Sequence, residues 1–347
     1  MTNPFLDDIV VGDVRASLKM MPEKFVNTCV TSPPYYNLRN YGTPAQVWGG
    51  DAVCHHAWDR KGFCRCGAWR GHLGLEPTPD LFVAHLVEVF RGVKRVLRDD
   101  GILWLNLGDS YNQPGSGGHG ATGGLDKSTL SSAAPKGMVP TKKAMCPGLK
   151  QKDLIGVPWM VAFALRADGW YLRSDIIWEK PNVMPSSVTD RCTTSHEYIF
   201  MLSKSARYHY DGDAIKEKSK NPGQVVKLGE RSFAKRQAAG KRMAASGNGL
   251  KDSYTVLPTR NKRSVWSVCT QPFKGAHFAG FPPSLIEPCI LAGSPRGGVV
   301  LDPFMGSGTT GLVAAQHGRR YVGCELNAEY AEMAETRIMG ASLEDLV

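Results

Sequence analysis

The sequence predicts an α/β domain in which helices flank a mostly parallel sheet, together with a small second subdomain. Strand-like apolar runs alternate with helix-like stretches, and glycine or proline turns separate them. The 347 residues are 42% hydrophobic, which suffices for a large core. No stretch approaches about 18 consecutive apolar residues, so the sequence argues against a membrane-spanning helix.

The N-terminal elements alternate in the order strand, helix, strand, helix, strand. Their expected bounds are 8–13, 14–21, 25–30, 81–97 and 102–107. The second helix is the clearest, because its apolar side chains recur at helical spacing between Pro79 and the turn-forming Asp99-Asp100-Gly101. Such alternation is typical of parallel strands joined by helical crossovers.

The C-terminal part continues the pattern after two interruptions. Expected helices cover 157–167, 283–292, 311–317 and 328–339, and expected strands cover 171–179, 197–202, 298–301 and 320–324. Residues 37–78 are rich in Gly, Trp, His and Cys and predict an irregular insert. Residues 112–148 are dominated by Gly, Ser, Ala, Pro and Lys, which predicts a mobile loop with a gating role or plain disorder.

The positive charge of the chain is local. The net charge is +10. Residues 216–263 contain 13 basic and 3 acidic side chains, and 13 − 3 accounts for the same +10. Such a block favours a polyanionic partner, most simply nucleic acid, and the alternative is a solvated loop.

Cysteine usage and the N-terminus predict a reducing, cytoplasmic setting. Nine cysteines are too sparse for a disulfide scaffold, and their odd number leaves one unpaired. The N-terminus lacks the basic segment and apolar run of a secretory signal.

Residues 299–310 have the pattern of a strand, a glycine turn and a helix start. They read Val-Val-Leu-Asp-Pro-Phe-Met-Gly-Ser-Gly-Thr-Thr. Glycines let backbone amides approach a ligand closely, and a helix N-terminus favours electronegative groups. The next strand-like run ends at Glu325, where an acid typically accepts hydrogen bonds from the ribose of an adenosine-containing cofactor. No lysine follows the glycines, which argues against a triphosphate-binding loop. A tight turn that binds nothing is the alternative.

A proline-tyrosine motif, Ser32-Pro33-Pro34-Tyr35, follows the strand-like run 25–30. Two prolines cannot continue a central strand, so the motif is expected just past the carboxyl end of that strand. Alone it could be a rigid loop. Its occurrence together with the glycine loop, each after a strand-like run, favours a functional site.

These two motifs resemble those of the amino-directed DNA methyltransferases, which use S-adenosylmethionine. The family's catalytic motif is Asp, Asn or Ser followed by Pro-Pro-Tyr or Pro-Pro-Phe, and its cofactor motif, Asp-Pro-Phe-x-Gly-Ser-Gly-Thr, stands here at 302–309. The order of the motifs is similar to that of the permuted β group. The resemblance covers most of the chain except 112–150 and 211–265, and it implies a Rossmann-like methyltransferase fold.

The resemblance implies a chemistry for the proline-tyrosine motif. The Ser32 hydroxyl and the Pro33 carbonyl would accept the N–H groups of an exocyclic amine, and Pro33 and Pro34 would fix the turn. Tyr35 would stack on a base flipped out of the duplex. Relatives with Ser before Pro-Pro-Tyr more often modify cytosine N4 and those with Asp adenine N6. Cytosine is therefore slightly favoured, with adenine N6 as the alternative.

The resemblance also implies a set of cofactor-binding residues. They are Asp302, Pro303, Phe304, Gly306, Ser307, Gly308, Thr309, Thr310, Glu325, Phe281 and Asp13. Three of them keep a structural alternative: Phe304 as a core residue, Asp13 as a turn-stabilising acid, and the Phe281 segment as an ordinary helix start with proline. Lys180-Pro181-Asn182 and His196-Glu197 recur in relatives and are assigned no catalytic role.

The insert carries a candidate zinc site at Cys54, His56, Cys64 and Cys66. Thiolates and imidazoles in this number suffice for a tetrahedral structural zinc. The Cys-x-Cys spacing is shorter than in the usual zinc knuckle. A Trp-rich loop with reduced thiols is the alternative, and the methyl-transfer reaction has no use for a catalytic metal.

The predicted organisation has three parts. Residues 1–210 form the catalytic half, with insert 42–78 and mobile loop 112–150, and residues 266–347 form the cofactor-binding half of the same domain. Residues 211–265 form a basic target-recognition region. Its candidate base contacts, by residue type, are Asn248, Arg260, Asn261 and Arg263.

Double-stranded DNA is the implied partner, and the resemblance suggests a homodimer and a cognate restriction endonuclease as further partners. Two other function classes stay open. One is a DNA-binding protein that keeps the fold without turnover, and the other is a methyltransferase acting on RNA or protein.

Overall fold

The computed structural model describes residues 3–113, 145–227, 253–271 and 280–344. These residues belong to two compact units. The larger unit is drawn from residues 1–211 and 264–347, and the smaller is drawn from 212–263. No helix within the described ranges is long and apolar enough to cross a membrane.

The described residues contain every helix and strand that the sequence predicts, in the predicted order, together with seven strands of two or three residues that it does not predict. The helices are α1 (Val14–Met20), α2 (Pro79–Val96), α3 (Val157–Ala167), α4 (Pro283–Gly293), α5 (Thr309–Gln316) and α6 (Ala328–Glu344). The strands are β1 (Asp8–Val11), β2 (Val26–Thr31), β3 (Gln46–Trp48), β4 (Trp69–Gly71), β5 (Leu97–Leu107), β6 (Tyr171–Glu179), β7 (His196–Ser203), β8 (Glu217–Lys218), β9 (Val225–Lys227), β10 (Ser253–Thr255), β11 (Thr259–Arg260), β12 (Val265–Ser267), β13 (Val299–Asp302) and β14 (Arg320–Glu325).

The larger unit is built on an eight-stranded sheet with the order β1-β14-β13-β2-β5-β7-β6-β12. All neighbouring pairs are parallel except the two that involve β7, which runs against both β5 and β6. The predicted fold class, a mostly parallel sheet flanked by helices, is confirmed. The reversed strand β7 was not predicted.

Helix α2 shows how the sequence specifies these layers. Its N-cap, Thr78, accepts a hydrogen bond from the Leu81 amide, and Pro79 occupies the first turn, where no amide partner is needed. The apolar side chains at helical spacing are buried, among them Phe82, Leu86, Val89, Phe90 and Val93. This face packs on the sheet, where β5 is buried from Gly101 to its end.

Three features depart from the expected boundaries. The insert, predicted to be irregular, contains an antiparallel hairpin of β3 and β4. Strand β5 begins at Leu97 rather than at Ile102, so the Asp99-Asp100-Gly101 stretch that was expected to end the helix lies within the strand. Strand β12 adds an edge next to β6 that the sequence did not indicate.

The ends of the predicted mobile loop 112–150 are packed, while residues 114–144 lie outside the described residues. Asn112 is buried, and its side chain accepts a hydrogen bond from the Cys146 amide at 2.8 Å and donates to the Leu149 carbonyl at 3.0 Å. Cys146 is buried as well and contacts the Tyr36 hydroxyl. The two flanks of the loop are therefore held together.

The smaller unit contains two short antiparallel pairs, β8 with β11 and β9 with β10. Two guanidinium groups, those of Arg260 and Arg263, donate hydrogen bonds to one carboxylate oxygen of Glu217, at 2.7 and 2.6 Å. Burial alone would raise the pKa of Glu217, but the hydrogen bonds and positive charges of the two arginines outweigh it and lower that pKa.

A buried carboxylate joins the central strands β2 and β13 where they end. Asp302 closes β13, and its two oxygens accept hydrogen bonds from the Thr31 hydroxyl at 2.6 Å, the Phe304 amide at 3.0 Å and the Thr310 hydroxyl at 2.7 Å. Thr31 is the last residue of β2. Because parallel strands end at the same edge, one carboxylate can fix both loops that leave them.

Stability should fall as Asp302 ionises. Burial raises the pKa of Asp302 from 3.8 to about 6, although the three hydrogen bonds favour the charged form. The folded protein therefore binds this proton more tightly than the unfolded chain does. The free energy of unfolding of the wild type, minus that of Asp302→Asn, should decrease as the pH rises from about 4 to about 6 and then level off.

Urea denaturation across this pH range measures the difference. Thr31→Val removes a hydrogen-bond donor that favours the Asp302 carboxylate. The free energy of unfolding of this variant should therefore go on decreasing to a higher pH than that of the wild type. A difference between wild type and Asp302→Asn that does not change with pH would contradict the assignment.

Candidate active site

The two sequence motifs meet at the carboxyl edge of the sheet. Ser32-Pro33-Pro34-Tyr35 follows β2, and the glycine loop 303–308 connects β13 to α5. The hydrogen bond between Thr31 and Asp302 links the residues from which the two loops begin. Glu325 ends the neighbouring strand β14 at the same edge.

The glycine loop needs glycine at its two left-handed positions. Gly306 has φ 52° and Gly308, the N-cap of α5, has φ 78°. A Cβ on Gly308 would lie 2.8 Å from the Cβ of Ala334 in α6. The Gly306 amide donates to Glu325 at 2.8 Å, so the loop is bound directly to the acid at the end of β14.

The hydroxyl groups of the loop and of the first turn of α5 are turned toward the protein. Ser307 and Thr309 are buried, and both side-chain oxygens accept hydrogen bonds from Arg337 of α6. Thr310 is fully buried and donates to Asp302. These three residues, predicted to bind the cofactor, hold the loop in shape with their side chains.

Glu325 retains acceptor capacity beyond its present partners. One carboxylate oxygen accepts the Gly306 amide at 2.8 Å and the other accepts the Asn327 amide at 2.9 Å. The Leu326 amide also favours the charged carboxylate, and since a carboxylate offers about four acceptor sites, acceptor capacity remains beyond these three amides. Burial raises the pKa of Glu325, while the amide donors favour its charged form.

Tyr35 belongs to a polar network that the sequence analysis did not foresee. Its hydroxyl lies 2.6 Å from a carboxylate oxygen of Glu197 and 3.1 Å from Oδ1 of Asn106. The other oxygen of Glu197 pairs with the Lys180 ammonium, and the Ser32 hydroxyl lies 3.4 Å from that of Tyr35. Burial, together with the neighbouring Glu197 carboxylate, raises the pKa of Tyr35, so its phenol stays protonated and donates.

Lys180 and Glu197 come from the two motifs that were assigned no role. The only signal for them in the sequence was the recurrence of Lys-Pro-Asn and His-Glu in the family. Asn182, from the first of these motifs, exchanges hydrogen bonds with the backbone of Thr270 and fixes that segment.

Two glycines pack closely against Tyr35. A Cβ on Gly108, just after β5, would lie 2.6 Å from Cε2 of the Tyr35 ring. A Cβ on Gly74 of the insert would lie 2.9 Å from the carbonyl oxygen of Tyr35. The Gly74 carbonyl also accepts the Asn37 amide at 2.6 Å. The tyrosine is thus fixed at its hydroxyl, ring edge and backbone.

The remaining predicted residues of the cofactor site make contacts within the protein. Asp13 caps α1 through the Arg15 amide at 2.8 Å and pairs with the Arg15 guanidinium at 2.6 Å, which is the turn-stabilising arrangement. Phe304 is half-buried against the core, Pro303 is buried beside it, and Phe281 is buried just before α4.

The structure brings the four candidate zinc ligands together, with their ligand atoms all within 4.8 Å of one another. Among the candidate base contacts, Arg260 and Arg263 are engaged by Glu217, Asn261 is exposed, and Asn248 lies outside the described residues.

Comparison with known proteins identifies the family of this chain. The model of a DNA methylase family, N6/N4, matches residues 26–336. The chain is 42% identical over 329 residues to the type II methyltransferase M.Cfr9I of Citrobacter freundii, covering 95% of this chain and 86% of that protein. It is 41% identical over 332 residues to the type II methyltransferase M.SmaI of Serratia marcescens, covering 95% and 90%.

Solved structures share the fold at low identity. The cytosine-N4-specific PvuII DNA methyltransferase matches with a TM-score of 0.55 and 17% identity over 97% of this chain and 91% of that one. A candidate DNA modification methylase of Thermus thermophilus, complexed with S-adenosyl-L-methionine, matches with a TM-score of 0.51 and 23% identity over 96% and 95%. The chain therefore belongs to the N6/N4 amino-directed DNA methylase family and is an S-adenosylmethionine-dependent DNA methyltransferase.

Proposed function

We propose that this enzyme methylates the N4 amino group of cytosine in double-stranded DNA, on a base flipped out of the helix. The observation that carries the proposal is the hydrogen bond between Thr31 and Asp302, which brings the catalytic and cofactor motifs to one edge of the sheet. The serine at position 32 favours cytosine, because relatives with serine in this position more often modify that base. Adenine N6 methylation by the same mechanism is the alternative.

The polar groups at this edge of the sheet are of the kind that the cofactor requires. The Glu325 carboxylate has acceptor capacity for ribose hydroxyls, and it is joined directly to the glycine loop through the Gly306 amide. When bound, S-adenosylmethionine supplies a methyl group that its sulfonium already activates. The protein therefore contributes mainly by positioning the acceptor nitrogen.

The proline-tyrosine motif would prepare that nitrogen. The lone pair of an exocyclic amine is delocalised into the base, which makes the amine a weak nucleophile. Acceptors at the Ser32 hydroxyl and the Pro33 carbonyl would hold the two N–H groups and favour a tetrahedral nitrogen with an available lone pair. The two prolines fix these acceptors before the substrate arrives.

Tyr35 would stack on the flipped base, and its surroundings suit that role. The phenol is held by Glu197 and Asn106 and the ring edge by Gly108, so little orientational freedom remains to be lost when the base enters. Glu197 and Lys180 are proposed as positioning residues that act through Tyr35.

The unit 212–263 is proposed as the target-recognition region. Its basic side chains would neutralise phosphates and make binding sensitive to salt. The engagement of Arg260 and Arg263 by Glu217 suggests that these two arginines shape the unit in addition to any contact with DNA. The type II methyltransferases among its relatives suggest a cognate restriction endonuclease, and this partner and a homodimer remain predictions.

The product decides the target base. Purified protein incubated with mixed-sequence duplex DNA and S-adenosylmethionine should yield N4-methylcytosine, detected by nucleoside digestion and mass spectrometry. The same DNA without cofactor is the control. N6-methyladenine as the product would establish the alternative, and methylation of RNA in preference to DNA would contradict the proposal.

The two motifs should separate turnover from cofactor binding. Ser32→Ala removes one acceptor of the amine and should lower kcat by about 10²-fold while leaving the Kd for S-adenosylmethionine unchanged. Glu325→Ala removes hydrogen bonds to a charged group and should raise that Kd by roughly ten- to hundredfold. Calorimetric titration of each variant with the cofactor measures this Kd. An equal increase of the Kd in both variants would refute the division of roles.

The network around Tyr35 should behave as one unit. Tyr35→Ala loses the stacking ring and should cost about 1–3 kcal/mol in kcat/KM, whereas Tyr35→Phe keeps the ring and should cost less. If Glu197 acts through the tyrosine hydroxyl, Glu197→Gln should reduce kcat/KM in the wild type but far less in the Tyr35→Phe background. Fully additive effects would show that Glu197 acts independently of Tyr35.

A further inference from the structure

The hairpin of β3 and β4 carries a loop, residues 49–68, that has little apolar surface to order it. Most of its side chains are exposed, and the buried ones are few, with Cys64 and Ala68 among them. The closing ladder pairs only three residues on each strand. A segment with so small a core generally needs a disulfide or a metal to be stable.

Four potential ligands meet inside this loop. They are Cys54, His56, Cys64 and Cys66, and each places one ligand atom within 4.8 Å of all the others. Two come from the first half of the loop and two from the second, so a common ion would fasten the halves together. Within the described residues this is the one group of three or more such side chains that could hold a metal ion.

Two of the distances between ligand atoms match a tetrahedral zinc site. With Zn–S bonds of about 2.3 Å, neighbouring sulfurs of a tetrahedron lie about 3.8 Å apart, and a sulfur and an imidazole nitrogen lie about 3.6 Å apart. The sulfurs of Cys54 and Cys64 are 3.8 Å apart, and Cys66 Sγ is 3.4 Å from His56 Nδ1. All the cysteines concerned are free thiols, and 3.8 Å is far longer than a disulfide bond of about 2.05 Å.

The backbone around Cys64 and Cys66 forms a tight turn whose amides face a cysteine sulfur. Gly67, directly after Cys66, is left-handed with φ 87°, and its amide donates to the Cys64 carbonyl at 2.9 Å. The sulfur of Cys64 accepts hydrogen bonds from the backbone amides of Cys66 and Ala57. This tight turn with amides directed at sulfur lets a Cys-x-Cys pair act as a knuckle despite its short spacing.

We propose that Cys54, His56, Cys64 and Cys66 bind one Zn²⁺ ion as a closed structural site. Four protein ligands fill the tetrahedron and leave no position for water or substrate, so the ion takes no part in methyl transfer. The site is independent of the proposed target base.

The zinc site would support the catalytic loop through the hairpin strands. Trp48 of β3 and Trp69 of β4 both stack on His85 of α2, and their ring centroids lie 4.6 and 5.5 Å from the centroid of the His85 ring. His85 lies 2.9 Å from a carboxylate oxygen of Glu76, whose other oxygen accepts the Gly74 amide at 2.8 Å. Gly74 is the residue that packs against the Tyr35 backbone.

Metal analysis of the whole chain tests the site. The full-length protein is purified under reducing conditions, incubated with excess Zn²⁺, freed of loose metal by gel filtration and analysed by plasma mass spectrometry. The wild type should hold one zinc per chain, and Cys54→Ser and Cys66→Ser should each lose most of it. Cys192→Ser, at an exposed cysteine outside the cluster, is the matched control and should keep it.

A second measurement uses only the wild type, so its result does not depend on whether the variants fold. Co²⁺ bound in place of zinc should give the intense ligand-field bands of tetrahedral coordination and a thiolate-to-metal charge-transfer band, and zinc should remove both. A wild-type protein that takes up far less than one zinc per chain, or octahedral Co²⁺ without thiolate charge transfer, would overturn the proposal. Zinc loss in Cys192→Ser equal to that in Cys54→Ser would do the same.

Discussion

The active-site edge of this methyltransferase depends on one buried carboxylate. Asp302 accepts hydrogen bonds from the end of β2, from the loop after β13 and from the start of α5. Because Thr31 lies far from Asp302 in the chain while the other two partners follow Asp302 closely, the carboxylate fixes the relative position of two loops that the sequence leaves independent. Burial works against the charge and raises the pKa of Asp302 to about 6, so the arrangement is maintained at a cost in stability that the hydrogen bonds only partly offset.

The direction of β7 explains the second feature of the site. In a purely parallel sheet, the first residues of a strand lie at the edge opposite the carboxyl ends of its neighbours. Since β7 is reversed, its start at His196 and Glu197 lies beside the end of β5, where Leu107 pairs with Tyr198. Lys180 directly follows β6, which runs parallel to β5, and therefore reaches the same place. The reversed strand thus brings a carboxylate to the tyrosine of the catalytic motif.

The insert contributes to the same edge from outside the sheet. Its hairpin is anchored by two tryptophans, one on each strand, that stack on His85, and Arg15 lies over the Trp48 ring at 3.9 Å. Aromatic stacking of this kind stabilises through both buried area and geometry. The anchored hairpin leads to Gly74, so a segment without a catalytic side chain of its own helps to define where Tyr35 stands.

The amino-acid sequence alone was enough to predict the helices, the strands of four or more residues, the fold class, both motifs and the candidate zinc ligands, because periodicity, prolines and glycines act over a few residues. Which side chains meet depends on the tertiary fold. Ser307, Thr309 and Thr310 turn inward to Arg337 and Asp302, and Asp13 is engaged by Arg15. Glu197 and Lys180 reach Tyr35 through the reversal of one strand. Such contacts depend on strand order and direction, which pairing between distant segments sets and local sequence patterns do not encode.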